Sequence, residues 1–316
     1  MSSVLLFGTG QIGSFAARAL VRRGIGVNAA DAAPDAPFYA RFGPGGEASS
    51  PVKLDVTCAD EVEAFVRSFA EAQAVVFAVG YTGERATADP AGARRIAECG
   101  VGNVIAAARA SGIKRAVVVS SLAVYDGLPE GERLVEDRPT RPRTAYGRIQ
   151  LALEDCARAF AADLDVTILR IAGVFGPQRF GHGSHSSQFV ERMLYGAATG
   201  RPVRIEGCWE DEDDLIYVKD VGEAISAAAL TPGAGSLTVN VGVGHVSTIR
   251  QIADAVLSVF PAADIAVAAP GQFPQPSRRM ALESATLATR LGVQAAFPLT
   301  AAMRDYAAET GLIDAG

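Results

Sequence analysis

An apolar run, Val4-Leu5-Leu6-Phe7, breaks into Gly8-Thr9-Gly10-Gln11-Ile12-Gly13 and then into a helical pattern, Phe15, Ala16, Ala19 and Leu20, that stops at Gly24. Strand, glycine turn and helix in that order leave few folds open. Gly8 permits the tight turn. Gly10 leaves the backbone bare for a pyrophosphate, and Gly13 lets the helix pack close to the strand. The helix start adds free N–H groups and the positive end of its dipole. These residues read as a dinucleotide site; a glycine-rich turn without a ligand is the plainer alternative.

The next segment sharpens that reading. Residues 26–30 form a short second strand that ends at Asp31, 18 residues beyond Gly13. A carboxylate at this spacing accepts hydrogen bonds from the adenosine ribose and repels a 2′-phosphate. Ala32, Ala33, Pro34 and Asp35 bring no lysine or arginine. The expected cofactor is therefore NAD rather than NADP. A turn residue after a strand is the other reading of Asp31.

The rhythm continues. Residues 34–50 read as a loop and 52–54 as a third strand. A helix follows over 60–70, an apolar strand over 74–79 ending at Gly80, and a helix over 91–110. A strand over 116–119 ends at Ser120-Ser121, a polar loop covers 126–143, and a helix over 144–162 precedes a strand over 165–171. Strands alternating with helices predict an α/β fold, a doubly wound parallel sheet of Rossmann type. Ligands of such sheets lie beyond the carboxyl ends of the strands, which places Gly8, Asp31, Asp55, Gly80 and Ser121 along one rim. The alternation weakens after a glycine-rich loop over 173–187. Residues 1–175 are expected to form the cofactor domain, with 214–245 returning to it. Residues 176–213 and 246–316 would form a smaller substrate lobe.

Bulk properties exclude several classes. Of the 316 residues, 49% are hydrophobic and 20% charged, enough to bury a sizeable core. A net charge of −6 without a basic run argues against nucleic acid. No stretch approaches the roughly 18 apolar residues of a membrane span. Cys58, Cys99, Cys156 and Cys208 are scattered, as for reduced thiols in a cytoplasmic protein. The remaining partner class is a small-molecule substrate.

Longer motifs follow along the chain: Val118-Val119-Ser120-Ser121-Leu122-Ala123-Val124-Tyr125, then Tyr146-Gly147-Arg148, then Leu169-Arg170 through Val174-Phe175-Gly176-Pro177-Gln178, and Asp214-Leu215-Ile216-Tyr217-Val218-Lys219-Asp220-Val221. With the glycine turn and Asp55-Val56, the chain resembles an extended short-chain dehydrogenase/reductase of the NAD-dependent epimerase/dehydratase family. The resemblance implies a cofactor site of Gly8, Gly10, Gln11, Ile12, Gly13, Asp31, Asp55, Val56, Ala78, Val79, Gly80, Tyr146, Gln150 and Ile171. It implies that Ser121 holds the substrate oxygen and that Tyr146, 25 residues later, is the acid/base. It also implies a homodimer through the helices over 91–110 and 144–162.

Three departures bear on function. The family's Tyr-x-x-x-Lys is here Tyr146 and Gln150, which share a helix face at i and i+4. That lysine orients the nicotinamide ribose and favours tyrosinate; an amide can bond the ribose but carries no charge. A tyrosine left near a pKa of about 10 is ionised in roughly one molecule in a thousand at pH 7. Arg143 or a histidine could stand in, catalysis could be slow, or the chemistry could lie elsewhere. The family's asparagine after the sixth strand is Gly173. Its pyrophosphate-gripping arginine is Asp213, within the acidic run Glu210 to Asp214. A negative charge there opposes a nucleotide-diphosphate sugar. The acidic run otherwise reads as a solvated loop.

The expected activity is NAD-dependent oxidation or reduction of a hydroxyl or ketone on a small polyol, sugar acid or natural-product intermediate. Alternatives are an epimerase or dehydratase with tightly held NAD, and a redox-inactive NAD-binding or non-redox protein. Tyr81, Ala123, His182, His185 and Arg278 are candidate substrate contacts. His182 and His185 lack a third ligand at metal-binding spacing, so no metal is expected.

Overall fold

The computed structural model describes residues 2–45, 50–129, 133–179, 184–232, 235–268 and 280–314. The strands Ser3–Phe7 (β1), Gly26–Asp31 (β2), Val52–Lys53 (β3), Ala74–Phe77 (β4), Arg115–Ser121 (β5) and Asp165–Ile171 (β6) join an edge strand, Leu237–Val241. Among the described residues they form one sheet in the order Leu237–Val241, β6, β5, β4, β1, β2, β3, with every pairing parallel. The order reverses between β1 and β4, where a doubly wound sheet opens its ligand crevice.

Side-chain alternation builds a core on each face. Val4 and Leu6 of β1 point to one side, against Phe15, Ala16 and Leu20 of the helix Gln11–Arg22 (α1) and Val221 and Ala224 of the helix Val218–Leu230. Leu5 and Phe7 point to the other, against Val62 and Phe65, Val104 and Ile105, and Leu153 and Ala157. Strands covered by helices on both faces read as continuous apolar runs, as these do. Gly222 brings Val218–Leu230 so close to α1 that a Cβ would lie 2.6 Å from the Phe15 carbonyl oxygen.

Smaller pairings lie outside the sheet: Gly173–Phe175 with Leu215–Tyr217, Glu212–Asp213 with Ser247–Thr248, and Val203–Glu206 with Ile265–Ala268. The last long helix, Leu299–Thr310, is tied down by ion pairs of Lys219 with Asp305 (2.7 Å) and Glu309 (2.6 Å), and of Arg18 with Glu309 (2.9 Å). Among the described residues no helix is long and apolar enough to cross a membrane.

Several expectations need correction. Residues 34–50 are not a plain loop: Asp35 caps a helix over Ala36–Phe42, accepting the Phe38 N–H at 2.9 Å, and Phe38 and Phe42 bury against Phe15. The region over 91–110 is helical but broken by a π turn at Ile96–Gly100, where a Cβ on Gly100 would come within 2.8 Å of Val56. The acidic run is a solvated turn only at its start, where Glu210 is exposed. Glu212–Asp213 is a strand, and Asp214 is fully buried, its carboxylate accepting the Leu282 N–H at 2.8 Å.

A buried polar network crosses the core. Arg170 on β6 donates to Glu154 from Nε (3.0 Å) and Nη2 (2.8 Å), and Ser120 on β5 donates to the same carboxylate at 2.6 Å. Arg170 also donates to the Tyr125 hydroxyl, which donates to Asn240 Oδ1 at 3.2 Å. Glu154 has no exposure and Arg170 only 3%. Removing one partner of such a pair strands a charge out of water. Arg170→Met is expected to lower stability by about 3–5 kcal/mol, measured as a shifted urea midpoint at neutral pH. Arg158, which also donates to Glu154, moderates the loss. Adding Glu154→Gln should recover part of it, and a loss as small as a surface pair's, below about 1 kcal/mol, would contradict the network's role.

Candidate active site

The glycine turn sits at the switch point of the sheet. Gly8 ends β1 at φ +94°, and its N–H donates to the Ala30 carbonyl at 2.8 Å. A Cβ on Gly8 would stand 2.5 Å from the Ala78 oxygen, and one on Gly13 would stand 1.8 Å from the Gly8 oxygen. The turn itself demands these two glycines. Gly10 is different: a Cβ there would meet nothing within 4 Å. It precedes α1, whose first turn carries no acidic side chain, so the positive helix end is unopposed. Space is kept open where an anion would bind.

Asp31 ends β2 and accepts the Thr9 N–H (2.7 Å), the Thr9 hydroxyl (3.2 Å) and the Ala33 N–H (2.9 Å). It therefore props the glycine turn. A carboxylate offers about four acceptor positions, which leaves capacity for a ribose hydroxyl. Asp55 is exposed and accepts the N–H (2.9 Å) and hydroxyl (2.8 Å) of Thr57. The side chains of Val56 and Ile171 are spent in the core, at 5% and 2% exposure.

Tyr146 and Gln150 lie on the helix Ala145–Arg158, capped by Thr144, which accepts the Gly147 N–H at 3.0 Å. Asp126 in turn accepts the Thr144 N–H at 3.1 Å. Gly147 lets this helix press against the segment after β5: a Cβ there would come within 2.3 Å of the Ala123 oxygen. Ser121 opens that segment and accepts the Ala123 N–H at 3.2 Å, capping a 3₁₀ turn over Leu122–Tyr125. The fold thus brings the Ser121 turn and the Tyr146 helix together. Val79, Gly80 and Tyr81 line a cleft with Ala97, Tyr146 and Gln150. Gln150 is only 7% exposed. Its amide makes no hydrogen bond to any described residue, so the cleft is what remains to partner it.

The sequence reading missed two features here. A short helix, Gly83–Ala88, follows Tyr81 and lies beside the Tyr146 ring. It places the Arg85 guanidinium 3.9 Å from the Tyr81 ring centroid, a cation at the edge of the cleft that nothing in the local spacing announces. Arg143, weighed as a stand-in for the missing lysine, is exposed at the turn before the helix.

On the substrate side, Gly173, Ser186 and Asp213 form one arrangement. A Cβ on Gly173 would lie 2.7 Å from the Ser186 Oγ and 2.8 Å from the Asp214 carbonyl oxygen. Ser186 fills the space beside Gly173 and donates to the Asp213 carboxylate. His185 is not on a loop; it begins the helix His185–Ala198, capped by Ser184. His182 and Arg278 lie outside the described residues. Among the described residues no group of three or more His, Cys, Asp or Glu side chains is placed to hold a metal ion.

The model of the NAD dependent epimerase/dehydratase family matches residues 4–242, and the chain belongs to that family. It is 30% identical to the UDP-glucose 4-epimerase of Streptomyces lividans over 169 residues, 49% of this chain and 50% of that one. The chain thus spans about half the length of the curated relatives it matches. The Thermus thermophilus UDP-glucose 4-epimerase, solved in complex with NAD, has 25% identity and a TM-score of 0.79 over 97% of this chain and 98% of that one. A partial-consensus L-threonine 3-dehydrogenase shares the fold, at 20% identity and a TM-score of 0.81 over 98% of this chain and 100% of that one. NAD is the cofactor of the family, and the residues present fit it: an open backbone at Gly10, an unopposed helix start, and Asp31.

The glycines should separate by experiment. Gly10→Val adds a side chain into open space, so the unliganded melting temperature should stay near wild type while NAD affinity falls at least tenfold by titration. Gly8→Ala should lower the melting temperature with or without NAD. A Gly10→Val protein that binds NAD as wild type does would remove the pyrophosphate from this turn.

Proposed function

We propose that this protein is an NAD-dependent oxidoreductase acting on a hydroxyl or ketone of a small polyol, sugar acid or natural-product intermediate that carries no diphosphate. The observation behind the substrate class is the arrangement of Gly173, Ser186 and Asp213. An asparagine cannot enter at Gly173 without displacing Ser186, and Ser186 is engaged with a carboxylate where the family places its pyrophosphate-binding arginine. Two unit charges of like sign about 4 Å apart repel by about 4 kcal/mol near a protein surface, enough to disfavour a diphosphate strongly. The lobe formed by residues 176–213 and 246–316 selects the substrate in this reading.

Bound NAD supplies or accepts a hydride at nicotinamide C4. Ser121 donates its hydroxyl hydrogen to the substrate oxygen. Tyr146 gives that oxygen a proton in reduction and takes one in oxidation. Gln150 bonds the nicotinamide ribose through its amide and brings no charge. Without a lysine cation at that position, Tyr146 is cast as a proton donor more than as a base. Reduction is then served at neutral pH, and oxidation climbs as the phenol ionises in the alkaline range.

A second reading keeps the cofactor bound and cycles it internally. The UDP-glucose 4-epimerases among the relatives favour it. In either reading the protein pairs with a second copy through the helical faces within 91–110 and 144–162. A sedimentation mass near 32.8 kDa at micromolar concentration would contradict that pairing.

The NAD content of the freshly purified protein tests the two readings against each other. Protein that purifies empty and binds NAD reversibly supports the dehydrogenase; near-stoichiometric NAD surviving dialysis supports internal cycling. For the chemistry, Tyr146→Phe should cut turnover about 10²- to 10⁴-fold, the usual worth of a positioned proton donor. Gln150→Lys should move the alkaline limb of the oxidative pH–rate profile to lower pH. An unmoved limb would take Gln150 away from the ribose.

A further inference from the structure

Two contacts carry residues 176–179 along the edge of the dinucleotide cleft. Gln11, at the start of α1, donates from Nε2 to the Gly176 carbonyl at 2.8 Å and to the Ser187 hydroxyl at 3.3 Å. Three residues later, Arg179 pairs through Nε with Asp35 at 2.9 Å. Asp35 lies four residues beyond Asp31 and caps the helix Ala36–Phe42. The chain between these tethers therefore runs from the helix start, where Gly10 leaves space open, toward the end of β2, where Asp31 stands. A dinucleotide seated on the glycine turn would lay its pyrophosphate and adenosine ribose along that line.

The Gly176 end of the segment is pinned. Gly176 sits at φ +140°, and a Cβ on it would come within 2.5 Å of Val218 and 3.1 Å of Tyr217. Between the tethers lies Gln178. Its amide oxygen and nitrogen are both buried, and neither has a hydrogen-bond partner among the described residues. An amide can donate two hydrogen bonds and accept two, and folded chains rarely leave such a group shut in with none. An unmet amide held between these tethers calls for a polar ligand that reaches it once the segment moves.

We propose that Gly176–Arg179 is a strap over the dinucleotide cleft, latched by the Asp35–Arg179 ion pair, and that it presents the Gln178 amide to the bound cofactor. The proposal rests on reading Gly8 to Asp31 as the NAD site. The latch acts on departure: the dinucleotide leaves when the ion pair opens and the strap lifts. The two side chains are 28% and 44% exposed, so water screens the pair. Its loss is worth a rate change of about two- to five-fold rather than a collapse of binding.

Release of NADH from the loaded protein, chased with excess NAD and followed by fluorescence, reads the latch. Asp35→Asn removes the charge while keeping a good helix cap. It and Arg179→Ala should each speed release about two- to five-fold, and the double variant should be no faster than either single one. Arg179→Lys should release close to the wild-type rate, and high salt should narrow the differences. Gln178→Leu reads the amide. The unliganded melting temperature should hold or rise, while the increment added by NAD shrinks.

Release rates identical to wild type in Asp35→Asn and Arg179→Ala would overturn the latch. An undiminished NAD increment in Gln178→Leu would show that the amide serves the fold or a water instead. Failure of the wild-type protein to bind NADH at all would defeat the cofactor reading first and the strap with it. That result is distinguishable, because there would then be no release to time.

Discussion

A carboxylate and a guanidinium shut away from water hold the helix Ala145–Arg158 to the sheet. Glu154 lies one helical turn beyond Gln150 and two beyond Tyr146, and Arg170 projects from β6, whose next residue, Ile171, pairs in register with Ser121 of β5. Such a pair contributes little net stability over an apolar substitute, but it tolerates only one geometry. The helix cannot slide or turn about its axis without breaking bonds whose partners have no water to fall back on. The same network reaches outward. Tyr125 and Asn240 join it to the loop near Leu134, whose carbonyl accepts the Asn240 amide at 2.8 Å, and Leu134 bridges to Leu282. Leu282 donates in turn to buried Asp214. Placement of the helix Ala145–Arg158 and placement of the segment around Asp214 and Leu282 are therefore parts of one problem.

The two neighbouring aspartates Asp213 and Asp214 divide by role. Asp214 is structural: its carboxylate accepts a backbone N–H in the core. Asp213, its neighbour, lies on the strand with its carboxylate toward Ser186. Where the family pattern carries positive charge, at the ribose and at the diphosphate, this chain has an amide and a carboxylate. In the proposed reading, the loss of both cations removes the attraction that a diphosphate would need.

What could be read from the sequence was local. The glycine turn, Asp31 and the apolar strands are legible because their signals fall within a few residues and backbone geometry fixes their meaning. The helix Ala36–Phe42 was lost because its aromatic residues stand among alanine, proline and glycine, and its anchor, Phe15, is distant in sequence. The burial of Asp214 was hidden because charge composition suggests water, whereas the deciding partner is the Leu282 N–H. Gln11 meeting Gly176, Asp35 meeting Arg179 and Arg85 lying over Tyr81 are products of topology. No spacing rule reaches across 165 residues, as the Gln11–Gly176 bond does.

The π turn at Ile96–Gly100 has a geometric consequence for the segment around it. One surplus residue in a helix rotates everything beyond it by about 100° relative to what precedes. Ile96 and Ala97 line the cleft beside Gln150 and also pack with Val101, Val104 and Ile105 in the core. In a regular helix Ile96 would point about 140° away from Val101; the wider turn brings the two toward one side. Deleting a single residue here would leave an unbroken helix of ordinary geometry and yet withdraw either the cleft wall or the core contacts. The register of this segment is thus set by its length, and substitutions that keep the length can vary its side chains without disturbing which way they point.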